Sequence, residues 1–372
     1  MDDKLITIAT YNYSRAEIIK GRLEAEGIMC YLKNVNLIQP DVSSGVKIRI
    51  KEKDVEKALK IILKIKQEVE YKLVEKETNK INKILLPIDF SDYSDNACLY
   101  ALELAKKIRA EIKIFYSINI LEFNAVPITA VYAVQPDINE NLVKQKDKAE
   151  NMLKSIVLNL KKKLKKDKID YVNIDYSIVQ GFAVDEIFNF ADEYKPDIII
   201  MGTKGESNNP DYILGSITSE IIEYAKVPVL AIPMKSEFNS HDTSHNIMYA
   251  TDFDDADFVA INKLFSIVKP LNPKIYCTHV GSETNASWCE VQMQGLKEYF
   301  SKIYKDVNLE CNIIQEEDFI KAFNKFIIDK KIEMVSIITH KRSIIAKLFN
   351  LNPSRTLQLL NQTKIPLLIF HS

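Results

Sequence analysis

Glycine is scarce in this chain: there are nine among 372 residues, where average usage of about 7% would supply roughly 26. With so few, each glycine marks a place where the backbone must turn unusually or approach another group closely. An excess of charge of one sign is also lacking. The 50 Lys and Arg balance 51 Asp and Glu to a net −1, which argues against bulk attraction to nucleic acid or an anionic membrane. The five cysteines (30, 98, 277, 289 and 311) are scattered without a CxxC pair. They predict reduced thiols in a cytoplasmic protein, neither a disulfide framework nor a zinc site. The opening MDDKLITIATYNYS lacks the basic region and apolar core of a signal peptide, and no apolar run approaches the ~20 residues of a membrane helix. The five histidines show no HExxH spacing, and neither GxSxG nor GxxxxGK[ST] occurs. No catalytic residue is predicted, and no positioned general base for water attack is visible.

What is present is organisation. The length predicts two or three domains. Residues 1–70 read as a small β-α-β-β-α sandwich. Its first strand is Leu5–Ala9, and a helix over 15–26 is predicted from the capping-box pair Ser14 and Glu17, with Gly27 as its left-handed terminator. Strands near 28–33 and 46–50 and a helix over 54–67 complete the unit, and 68–80 reads as a linker or a continuation of that helix. From 81, five strands (83–88, 112–118, 174–179, 197–202, 228–232) alternate with four helices (93–108, 141–167, 183–194, 215–226). That alternation predicts a parallel sheet covered on both faces. The lysine-rich stretch Lys144–Lys168 keeps helical apolar spacing through Leu153, Leu160 and Leu164, and reads as a solvated helix face.

After a polar segment, 233–245, the pattern recurs. KILLPIDFSDYSDNA aligns with NIMYATDFDDADFVA, matching Asp89 to Asp252, and KVPVLAIP (226–233) aligns with KIPLLIFH (364–371). The alignment predicts a duplication whose second copy, 246–372, is shorter. The expected fold class is α/β: two doubly wound five-stranded parallel-sheet domains of strand order 3-2-1-4-5, preceded by the small sandwich domain. The segments 228–232 and 366–370, both short and apolar, are predicted to pair with each other and give an internal pseudo-dimer.

Three of the nine glycines fall in MGTKGESNNPDYILGSITSEII, residues 201–222, in the form G202-x2-G205-x9-G215-S216. The motif starts where a strand ends and finishes where an amphipathic helix begins. Gly202 and Gly205 would let backbone amides approach a ligand, and the helix start at Gly215-Ser216 would favour an anion. If strands 1 and 4 are neighbours, Asp89 stands beside this loop at the point where the winding reverses. It could accept a hydrogen bond from a ribose hydroxyl or a base amine, or it could cap the following helix.

The glycine spacing and the opening LPIDFS resemble the ATP-binding branch of the universal stress protein family, over 81–372 as two copies. The resemblance implies that Pro87, Asp89 and Ile118 line the adenosine end of a site. It also implies that Gly202, Gly205, Gly215, Ser216 and Ile217 hold ribose and phosphates of ATP or AMP, with Mg²⁺ or Mn²⁺ bound through the phosphates. The expected role is stress response or signalling in the cytoplasm, with an unknown protein partner and further homo-oligomerisation as an option. A weak ATPase and a scaffold with a vestigial site are the alternatives. The second copy departs from the motif. Ile338-Thr339-His340-Lys341 stands opposite GTKG, Pro353-Ser354 opposite Gly215-Ser216, and Ala250 opposite Pro87, so this copy is expected not to bind ATP in the family manner. The basic tip His340-Lys341-Arg342 reads as a solvated loop. Residues 1–70 resemble a small family of proposed signal-transducing domains, which implies a regulatory or interaction role and no chemistry.

Overall fold

The computed structural model describes residues 5–35, 45–74, 81–119, 135–205, 214–239, 244–251, 253, 257–281, 286–304, 308–315, 319–339 and 365–371. The first unit contains β1 (Leu5–Tyr11), α1 (Tyr13–Ala25), β2 (Tyr31–Lys33), β3 (Val46–Lys51) and α2 (Val55–Val74). Its three strands form an antiparallel sheet of order β1-β3-β2. Alternation puts Val46, Ile48 and Ile50 of β3 on the face that packs Leu23 of α1 and Leu59 of α2. The N-cap of α1 is Asn12, whose side chain accepts from Arg15 N at 2.9 Å. This corrects the expected Ser14 cap: an Asx side chain just upstream satisfies the first turn, and Ser14 lies inside the helix. Gly27 ends the helix at φ +80°, as a left-handed terminator must. The helix predicted over 54–67 runs on to Val74.

The remaining strands make one sheet. Its first half contains β4 (Lys83–Pro87), α3 (Asp92–Ile108), β5 (Glu111–Ile118), α4 (Gln135–Lys166), β6 (Ile174–Gln180), α5 (Ala183–Tyr194), β7 (Ile198–Gly202), α6 (Ser216–Tyr224) and β8 (Val229–Ile232). The second half contains β9 (His245–Ala250), α7 (Asp257–Val268), β10 (Pro273–Gly281), α8 (Ala286–Ile303), β11 (Asn308–Gln315), α9 (Phe319–Asp329), β12 (Met334–Thr339) and β13 (Leu367–His371). The order across the ten strands is β11-β10-β9-β12-β13-β8-β7-β4-β5-β6. Numbered within itself, each half therefore has the order 3-2-1-4-5, with all internal pairs parallel.

The halves meet through one antiparallel pair, in which Leu367, Leu368 and Ile369 face Ala231, Leu230 and Val229. The two faces of the sheet carry separate apolar layers, and each layer runs through both halves. One holds Leu86, Leu230, Tyr249 and Leu368, the other Leu85, Val229, Met248 and Ile369. Successive residues of β8 and β13 thus supply opposite layers, the period of two expected of strands buried on both faces. The first unit is joined to this body by α2 packing on α8. Val291 of α8 contacts both cores.

Candidate functional site

β4 and β7 are neighbours, with Ile84 opposite Ile198 and Leu85 opposite Ile199. Their connections leave in opposite directions, so a crevice opens at their carboxyl ends. β4 ends at buried Pro87, and Ile88 N still donates to Phe115 O at 2.9 Å. The chain then turns through Phe90, held at φ +63° with its ring 4.6 Å from that of Tyr116.

Asp89, half-buried between them, is tightly organised. Its Oδ1 accepts from Ser91 N at 3.1 Å, Ser91 Oγ at 2.6 Å and Ser94 Oγ at 2.6 Å. Its own N–H donates to Ser94 Oγ at 3.0 Å. The N-cap of α3 is Ser91, which accepts from Ser94 N, so Asp89 does not cap the helix but braces the residue that does.

On the other side of the crevice, β7 is buried throughout and ends at Gly202. Three hydrogen bonds fix the path beyond it. Thr203 N donates to Ile232 O at 3.0 Å, Gly215 N to Thr203 O at 2.8 Å, and Thr218 Oγ1 to Gly202 O at 2.9 Å. Together they draw the start of α6 onto the end of β7. Gly215 is the N-cap of α6 and has no side chain to offer the first-turn amides. Ser216 and Ile217, the first two residues of α6, are exposed. Lys204 is buried beside Gly215.

The glycines have an internal reason that the sequence did not reveal. A Cβ on Gly202 would come to 2.8 Å from Tyr93 Cβ, and one on Gly205 would overlap Asp89 Oδ2. Both contacts are with α3 or the turn before it, so these two glycines let the loop close on the β4–α3 junction. At Gly215 a Cβ would meet nothing nearer than 3.5 Å. The structure therefore brings Asp89, Gly202, Gly205 and Gly215 together, with Pro87 at the same strand end. Ile118 ends β5, the other neighbour of β4, where its carbonyl accepts from Gly181 N. Tyr93, Ser94 and Thr218, which shape the junction, carry no sequence motif of their own.

The second half repeats part of this arrangement. Phe253 has φ +61° and its ring lies 4.5 Å from His279, as Phe90 lies on Tyr116. Buried Asp257 accepts from Tyr249 OH at 2.5 Å and from Thr251 Oγ1 at 2.6 Å. Asp252, His340, Lys341, Arg342, Pro353 and Ser354 lie outside the described residues. On α4, Leu153, Leu160 and Leu164 are buried, while Lys161, Lys162, Lys165 and Lys166 are exposed. Among the described residues no group of three or more His, Cys, Asp or Glu is placed to hold a metal ion. Among them, too, no helix is long and apolar enough to cross a membrane.

Residues 80–233 match the universal stress protein family, and residues 6–66 match a family described as "Putative prokaryotic signal transducing protein". Universal stress protein MJ0531 of Methanocaldococcus jannaschii is 30% identical over 173 residues, 46% of this chain and 94% of the relative. The chain belongs to the universal stress protein family. A second member from the same organism, MJ0577, is 29% identical over 156 residues, covering 41% of this chain and 96% of its own. Among solved structures, a universal stress protein from Archaeoglobus fulgidus superposes with a TM-score of 0.56 at 17% identity. That superposition covers 78% of this chain and 96% of the other. The shared universal stress protein fold therefore extends well beyond residues 80–233.

Proposed function

We propose that this protein binds an adenine nucleotide, ATP or AMP, in its first universal stress protein repeat and uses the bound state as a signal. The observation that carries the reading is the meeting of Asp89 and Gly205 beside the Gly215 N-cap of α6, at the carboxyl ends of adjacent strands. An oriented carboxylate suits a ribose hydroxyl or base amine, and an uncapped helix start suits phosphate. In this reading Pro87 and Ile118 border the adenosine, and Gly202, Gly205, Gly215, Ser216 and Ile217 border ribose and phosphates. A divalent cation, Mg²⁺ or Mn²⁺, would arrive with the phosphates and neutralise part of their charge.

The domain assignment is part of the proposal: a signalling module at 1–70, a nucleotide-binding repeat at 81–233, and a degenerate repeat at 246–372 that does not bind ATP in the same way. The shared strand order and the single antiparallel seam support an internal pseudo-dimer of tandem repeats. Nucleotide occupancy would then shift the conformation or partner choice of a cytoplasmic stress-response protein.

Isothermal calorimetry on the full chain with Mg-ATP and Mg-AMP tests the reading. Binding is expected in the parent protein, with loss in Gly205→Val while the circular dichroism spectrum is retained. At a 100-fold excess over Kd a ligand stabilises by about 2.7 kcal/mol, so the melting temperature should rise as well. No heat and no melting shift with either nucleotide would overturn it.

A further inference from the structure

Cys277 and Cys311, far apart in sequence, are register partners on the parallel strands β10 and β11. Residues directly opposed on neighbouring parallel strands point to the same face, with backbones about 4.7–4.9 Å apart. That separation lies inside the roughly 4.4–6.8 Å Cα range a disulfide spans. That pairing places the Cys277 thiol to donate toward the Cys311 sulfur.

Their surroundings differ. β10 has strands on both sides, and Cys277 is buried with 1% exposure. β11 is the last strand of the sheet, and Cys311 alone among the five cysteines is only half-buried. The hydrogen bond from Cys277 and the Lys297 ammonium of α8 favour the Cys311 thiolate. Burial pushes the thiols of Cys30, Cys98 and Cys289 the other way. A half-exposed, thiolate-leaning cysteine beside a buried thiol is the arrangement of an oxidant-responsive pair.

We propose that Cys311 and Cys277 form a reversible, peroxide-responsive thiol pair, with Cys311 as the attacked sulfur and Cys277 as the resolving one. The Cys311 thiolate attacks the peroxide O–O bond, taking one oxygen to become sulfenic acid and releasing hydroxide, which leaves as water. The Cys277 sulfur then attacks the Cys311 sulfur, forming the S–S bond and expelling the sulfenic oxygen with the Cys277 proton as a second water. The peroxide is reduced by two electrons and the two thiols are oxidised by two. The disulfide closes a loop containing α8, the helix on which α2 of the first unit packs. Oxidation therefore tethers the segment that carries the N-terminal module.

The test exposes the full-length protein to hydrogen peroxide, blocks free thiols by alkylation, and maps peptides by mass spectrometry without reduction. The expected result is one linked peptide pair, 277 with 311, lighter by two hydrogens and restored to free thiols by dithiothreitol. In Cys277→Ser, dimedone labelling of Cys311 should rise several-fold, because the sulfenic acid has no resolving thiol. Three results would overturn the proposal: Cys311 linked to Cys289 instead, Cys311 of the parent protein passing to sulfinic acid without a linked pair, or Cys311 reacting no faster than Cys98.

Discussion

Gly205 lies so close to Asp89 that a single methyl group on it would overlap the carboxylate Oδ2. The other oxygen, Oδ1, is already held by Ser91 and Ser94, so Asp89 cannot swing away without breaking the start of α3. The loop after β7 and the turn after β4 are thus locked across the crevice by a contact that only glycine permits.

Gly205→Ala should therefore destabilise the protein by about 1–3 kcal/mol, the usual cost of forcing extra volume into a packed site. Gly215→Ala, whose Cβ has 3.5 Å of clearance, should cost well under half as much. Urea unfolding of both variants, with midpoints compared at equal slope, checks the contrast. Equal losses would show that the contact with Asp89 does not set the requirement.

Asp257 is buried with a hydroxyl on each oxygen, Tyr249 on one side and Thr251 on the other. In Asp257→Asn the amide nitrogen replaces one acceptor, and one hydroxyl loses its partner. A loss of about 1–3 kcal/mol is expected from the stranded buried group. Thr251→Val by itself should also destabilise, because Thr251 Oγ1 accepts from the buried Phe253 N at 2.9 Å and valine strands that donor. Chemical denaturation of each variant measures the losses.

At the seam, Leu368 and Leu230 face each other at 0% exposure. Leu368→Ala should cost about 2–5 kcal/mol. Leu368→Asp should open the seam and expose two apolar strand edges, which template further pairing. Light scattering should then show concentration-dependent assembly beyond that of the parent protein.

Cys98 supplies a pH dependence. Burial pushes its thiol from the ordinary 9.0 up to about 12. The folded state therefore holds this proton more tightly than the unfolded state, and its contribution is fully present below pH 9. Stability should fall as pH rises from 9 toward about 12. In Cys98→Ala that alkaline slope should be shallower, whatever the cavity costs at neutral pH. Unfolding free energies at several alkaline pH values give the comparison.

By itself the sequence determined the elements and their order. Strand–helix alternation, apolar runs bounded by turns, and the glycine cluster at the end of β7 all follow from local periodicity and backbone restriction, which are written in neighbouring residues. It misplaced one detail that depends on side-chain competition over a few residues: the spacing points to Ser14 as the cap of α1, but Asn12 reaches the first turn. Of the two roles open to Asp89, capping of α3 falls away, because Ser91 is the cap and Asp89 braces it. Only the tertiary structure decided what lies opposite what. The close approach of Gly202 to Tyr93, that of Gly205 to Asp89, and the pairing of Cys277 with Cys311 join residues whose separation along the chain carries no signal. The parallel sheet sets those distances, because its register is fixed by burying both faces at once, and that condition is met by the whole fold and by no single segment.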